Sequence, residues 1–148
     1  MSYRAPVEDM MASLAALGIE AEDYRPILEE AGKLASDVLA PLNWTGDQEG
    51  LALKDGTLTM PKGFKQAYDQ YRDGGWNAVP FPEKWGGMEL PYSVAFPVQE
   101  MWQAANMSFG LCPLLNQGAV EALIAHGSEQ LQQRYLEKLI SGEWTGTM

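Results

Sequence analysis

The sequence predicts an all-α fold, an orthogonal helical bundle of about five to six helices with one small β-hairpin. Three observations carry that expectation. Apolar residues recur at spacings of three and four along most of the chain. Residues that start and stop helices bracket those stripes. An alternation of period two appears only once, around Asp55-Gly56. With 148 residues, 46% of them hydrophobic and 20% charged, the chain is long enough for one domain with its own core.

The first helix starts at Pro6, whose missing N–H has no partner in a first turn anyway. Glu8 and Asp9 follow, where carboxylates suit the helix dipole. Val7, Met10, Met11, Leu14 and Leu17 form its stripe, and Gly18 closes it. After the acidic turn Glu20–Asp23, a second helix sets Ile27, Ala31, Leu34 and Val38 inward. Glu29 and Lys33 pair on its outside, and Pro41 is expected to stop it. "LALKDGTLTM", Leu51 to Met60, reads as the hairpin, with Asp55-Gly56 as its turn. Pro61 opens a third helix with Phe64, Ala67, Tyr68 and Tyr71 on one face and Gly74-Gly75 at its end.

"PFPEKWGGMELP", Pro80 to Pro91, is too dense in proline and glycine for a helix or a strand interior. It reads as a rigid connection, pinned to the core by Trp85, with Glu83 and Lys84 in solvent. Two long segments follow, Tyr92 to Ala105 and Ser108 to His126, each interrupted by a proline, Pro97 and Pro113. Both are apolar nearly all round, so they are expected to be the central, most buried pair. Ser128 then caps a last helix whose inward stripe is Leu131, Tyr135, Leu136, Leu139 and Ile140. Gly142 ends it, and Glu143 to Met148 reads as the start of a strand.

The chemistry that composition allows is narrow. A net charge of −10, with no basic cluster, argues against nucleic acid and anionic membrane as partners. The lone Cys112 lies among Leu111, Pro113, Leu114 and Leu115, which excludes an internal disulfide and suggests a buried structural thiol. His126, also alone, precedes Gly127 at a helix end, so no His pair can hold a metal. Neither Gly74-Gly75 nor Gly86-Gly87 has the spacing of a phosphate-binding loop. No signal-peptide pattern and no membrane-length apolar window occur, and the expected location is the cytoplasm. Composition and spacing end at a helical domain.

Particular words of the sequence go further. "FPEKWGGMELP" (Phe81 to Pro91) resembles the proline-glutamate-aromatic-Gly-Gly segment of the N-terminal helical domain of acyl-CoA dehydrogenases. "LIAHGSEQLQQRYLEKLISGEWTGTM" (Leu123 to Met148) is similar to the stretch that follows in that family, where the chain passes into a β-domain. "YRAPVEDM" and "MPKGFKQAYDQYRDGGW" resemble the branch that includes 3-methylthiopropionyl-CoA and related long-chain acyl-CoA dehydrogenases.

The resemblance implies a helical domain over residues 1–142 and the start of a middle β-domain at 143–148. It implies FAD as cofactor, an acyl-CoA as substrate, an electron-transfer flavoprotein as partner, and a homo-oligomeric full-length enzyme. By the same resemblance, Leu111, Leu114, Leu115 and Gly118 belong to the acyl-chain pocket, and Thr147 and Met148 to the flavin contact. The family's flavin-holding motif and its catalytic glutamate follow later than Met148, so the chain alone is expected to bind no flavin and to be inert. An acyl-CoA oxidase domain and a non-enzymatic helical interaction domain are the alternatives.

Overall fold

Six helical rods and one hairpin make up the computed structural model, which describes residues 3–147. Helix α1 (Val7–Ala16) buries Met10, Met11 and Leu14 at the expected spacing. It stops one residue short of Leu17, which is left 74% exposed instead of joining the stripe.

Helix α2 (Arg25–Lys33) does not end at Pro41. It runs through a wide π-helical stretch, Leu34–Leu39, into α3 (Ala40–Glu49), which carries Pro41 in its first turn. The wide turn gives the pyrrolidine ring room that a regular helix interior would deny it. The stripe of this rod is Leu28, Ala31, Ala35 and Leu39, all fully buried. Ile27, Leu34 and Val38, expected at its centre, pack at its margins. Alanines on the inner line let α5 (Tyr92–Ala105) approach closely, and the larger side chains flank that contact. Lys33 reaches Glu30 rather than Glu29, which turns toward Arg25.

Strands β1 (Ala52–Lys54) and β2 (Thr57–Thr59) pair antiparallel with Leu53 opposite Leu58. Asp55 and Gly56 take φ of 50° and 75°, as a two-residue turn between twisted strands requires. Helix α4 (Phe64–Asp73) begins three residues after Pro61 and buries Phe64, Ala67 and Tyr71. With Trp102 of α5 and Phe109 of α6 (Met107–His126), Tyr71 forms edge-on contacts at 5.9 and 5.7 Å. Such ring pairs add directional preference to the area they bury.

The connection at 80–91 folds back on itself. The amides of Met88, Glu89 and Leu90 donate to the carbonyls of Ala78, Phe81 and Val79 at 2.9–3.0 Å. Gly87 is needed there: a Cβ would lie 1.9 Å from the Phe81 carbonyl oxygen. Phe81, 1% exposed, is the deepest anchor of this connection, and Trp85 packs half-buried beside it. Glu83 and Lys84 are exposed as expected. Phe81 sits in a second, smaller core with Val120 of α6 and Leu136, Leu139 and Ile140 of α7 (Glu129–Ile140). Ser128 caps α7 by accepting from the Leu131 amide, although Leu131 itself stays 44% exposed. After Gly142 the described residues form a turn and an irregular tail with no strand.

Three buried asparagines tie these parts together. Asn106 caps α6 by accepting from the Phe109 amide at 3.1 Å, and it donates to the Leu39 carbonyl of the π-helical stretch at 3.1 Å. Asn77 and Asn116 both donate to the Leu139 carbonyl, at 2.6 and 2.8 Å. Each amide offsets the cost of its own burial by donating to a main-chain carbonyl.

Candidate functional site

Helix α6 has a core-facing line made of Phe109, Pro113, Asn116 and Val120. The residues expected to form an acyl pocket fall on the opposite side. Leu111 and Leu114 are 48% and 42% exposed, Gly118 is exposed, and Leu115 is half-buried at the edge. Met107, 61% exposed, extends the same face by one turn. A Cβ added at Gly118 would meet nothing within 4 Å, so no neighbour in the fold requires the glycine. The structure thus brings Leu111, Leu114 and Gly118 together as one open apolar surface, not as an enclosed pocket.

Beside this face lies a cleft of about 310 Å³ between α4 and α6, lined by Phe64, Tyr68, Ser108, Phe109, Cys112 and Thr145 among others. None of the four expected pocket residues lines it. Cys112, expected to be buried, is exposed at its rim. Partial burial among apolar neighbours still pushes its thiol pKa up, so it stays protonated and a poor nucleophile at neutral pH. The reason for the misplacement is the phase of α6: Pro113 and Asn116 take the core positions, which turns residue 112 outward.

The tail is held against α6 by a residue that sequence reasoning missed. Asn116 accepts from the Gly146 amide at 2.9 Å through Oδ1 while its Nδ2 holds α7. Gly146 permits that approach, since a Cβ there would lie 2.4 Å from Ala119 Cβ. A signal was present: Asn116 is a polar residue at a core-phase position of an apolar helix, where it has to find partners. Tyr68 helps from the other side by donating to the Gly142 carbonyl at 2.9 Å. The tail therefore leaves α7 in a fixed direction, with Thr145 in the lining of the cleft.

Of the two residues expected at a flavin, Thr147 is exposed and Met148 lies outside the described residues. No described pair of glycines opens a helix that could hold a pyrophosphate: Gly75 leads into a three-residue turn, and five residues separate Gly86 from α5. The described residues do not fit a flavin by themselves. No group of histidine, cysteine or carboxylate side chains among them could hold a metal ion. No described helix is long and apolar enough to cross a membrane.

Comparison with known proteins places the chain in a family. The profile described as "Acyl-CoA dehydrogenase, N-terminal domain" matches residues 21–143. A 3-methylmercaptopropionyl-CoA dehydrogenase of Ruegeria pomeroyi is 43% identical over the whole chain, which covers 27% of that protein. A butyryl-CoA dehydrogenase of Syntrophomonas wolfei is 31% identical over 86% of the chain and 21% of its own length. The chain therefore spans about a quarter of the length of these relatives. Among solved structures, one titled for the electron transferring flavoprotein of Acidaminococcus fermentans superposes with a TM-score of 0.66. It is 21% identical over 84% of this chain and 30% of that one, a likeness of fold. With the profile covering most of its length and a relative aligned along all of it, the chain belongs to the acyl-CoA dehydrogenase family, as an N-terminal helical domain.

Proposed function

We propose that this domain works within a FAD-dependent acyl-CoA dehydrogenase, where the outer face of α6 forms one wall of the acyl-chain pocket. The observation that carries the reading is that face itself. Leu111 and Leu114 stand uncovered beside Gly118, on a helix whose opposite side already supplies the core. Apolar side chains suit an aliphatic or methylthio-substituted tail, and the glycine leaves it width. Removal of a proton from Cα and of a hydride from Cβ needs the thioester held in one pose and shielded from water. A rigid apolar wall contributes to both.

In this reading residues 1–142 are the helical domain, and 143–148 begin a middle β-domain where Thr147 and Met148 reach the flavin edge. The flavin itself is held mainly by other parts of the protein and supplies the hydride acceptor. The complete enzyme is a cytoplasmic homo-oligomer that passes its electrons to an electron-transfer flavoprotein.

The test uses the chain alone and a chimera in which it replaces the corresponding quarter of the Ruegeria relative. The chain alone is expected to purify colourless and to reduce no artificial acceptor with any acyl-CoA. The chimera is expected to bind flavin and turn over, and its Leu111→Glu version to keep the flavin spectrum while losing acyl-CoA-dependent reduction. Stoichiometric flavin on the isolated chain, or a Leu111→Glu chimera with unchanged kcat and KM, would overturn the assignment.

A further inference from the structure

We propose that the groove between α1 and α5 is a docking site for a cationic, amphipathic helical segment of a partner protein. The groove holds about 420 Å³ and lies away from the α6 face. Its apolar floor comes from Met10, Leu14 and Leu17 on one side and Phe96 and Pro97 on the other. Leu17 and Phe96 are 74% and 57% exposed among the described residues.

The charged side chains that line this floor are both carboxylates. Asp9 and Glu100 supply carboxylates from the two walls. Pro97 has no N–H, so the carbonyl of Ser93, another lining residue, lacks the donor that a regular helix would give it four residues on. The Ser13 hydroxyl is already committed to the Asp9 carbonyl at 2.8 Å. No lysine, arginine or histidine lines the groove. A groove with an apolar floor and only negative charge among its lining side chains selects an apolar side chain flanked by Lys or Arg, and the chain's charge of −10 reinforces that choice.

Part of the groove lies outside the match to the family profile, although within the stretch aligned with the Ruegeria relative. One of its walls is α1, residues 7–16, which lies ahead of residue 21, where the match to the family profile begins. The inference does not depend on the acyl-pocket reading and stands or falls separately.

The experiment titrates the 148-residue chain with a fluorescein-labelled helix-forming peptide that carries two leucines four residues apart between lysines. Control peptides replace the lysines by glutamate or the leucines by serine. Anisotropy gives the affinity and amide chemical shifts give the location. The lysine–leucine peptide is expected to shift amides of α1 and α5, to bind less tightly as salt is raised, and to outcompete both controls. The double variant Asp9→Asn/Glu100→Gln is expected to weaken it about tenfold, and Leu17→Ser/Phe96→Ser to abolish specific binding. All four positions are exposed, and circular dichroism of each variant checks that the helices persist.

Equal binding of the glutamate peptide, shifts centred on α6 or the hairpin, or unchanged affinity in both double variants would each overturn the proposal. So would the absence of binding at millimolar peptide. Concentration-dependent sedimentation that Leu17→Ser/Phe96→Ser removes would assign the groove to a second copy of the chain instead.

Discussion

Helices α5 and α6 share an apolar composition, an internal proline and a place next to each other, yet they use those properties differently. α5 buries Val94, Ala95, Val98, Met101, Trp102 and Ala105, and most of its apolar surface is spent inside the chain. α6 commits Phe109, Pro113, Asn116 and Val120 to the core and leaves Met107, Leu111 and Leu114 in the open. A helix that is hydrophobic all round need not be surrounded by its own chain. It can serve two interfaces, one that stabilises the fold and one that the fold does not need.

That difference can be broken by mutation. Trp102→Ala in α5 removes a side chain 2% exposed that meets Tyr71 and Trp76 edge-on, and should cost about 3–5 kcal/mol in urea unfolding. Leu111→Ala in α6 should stay within about 0.5 kcal/mol of the parent. Equal losses for the two would mean that both helices are core, and the comparison would fail.

Asn116→Ala tests the line between the two sides of α6. It strands the Gly146 amide and removes a donor from Leu139, so a loss of about 1–3 kcal/mol is expected, with faster amide exchange at Gly146. Unchanged exchange there would show that the tail is held by something else. Gly118→Ala sharpens the contrast in the other direction: the added methyl meets nothing, so the helix should gain about 1 kcal/mol. In the chimera the same change should raise KM for acyl-CoA, because a position that gains stability when filled is one whose openness serves something outside the fold.

The smallest effect is on pH. The Arg25 guanidinium hydrogen-bonds Glu8 and Glu22 and holds both carboxyls below their ordinary range. Their contribution is therefore complete above the ordinary carboxylate pKa and is lost as pH falls through the lowered values. Because the carboxylates are exposed, the effect is modest. Amides of α1 should exchange faster in acid before those of α5 do, and Arg25→Gln should remove that lead. Parallel exchange of α1 and α5 in wild type would contradict it.

Much of the fold was legible because it rests on local rules. Ser128 capping α7, Asp55-Gly56 turning the hairpin and Gly75 closing α4 each follow from one or two residues. The expectations that failed needed tertiary knowledge. Pro41 reads as a stop because sequence does not show the wide turn that accommodates it. Cys112 reads as buried because its neighbours are leucines, but helical phase, not neighbourhood, decides which way it points. The candidate site was legible only in part: family words marked Leu111, Leu114, Leu115 and Gly118 for the proposed wall, of which Leu115 lies half-buried at its edge, whereas Asn116 was passed over because it carries no chemistry of its own.

The π-helical stretch at Leu34–Leu39 has a further consequence, which concerns rotation. A regular helix advances about 100° per residue, and a turn wider by one residue resets the angular origin of everything beyond it. Ahead of the stretch, Gly32 is aimed at the N-terminal arm, where a Cβ would lie 2.9 Å from Ala5. Beyond it, Gly46 is aimed at α4, where a Cβ would lie 2.6 Å from the Phe64 ring. One rod thus keeps two independent bearings, and six residues in its middle set the angle between them. Deleting one residue there would leave a helix of nearly the same length with one half aimed at the wrong neighbour.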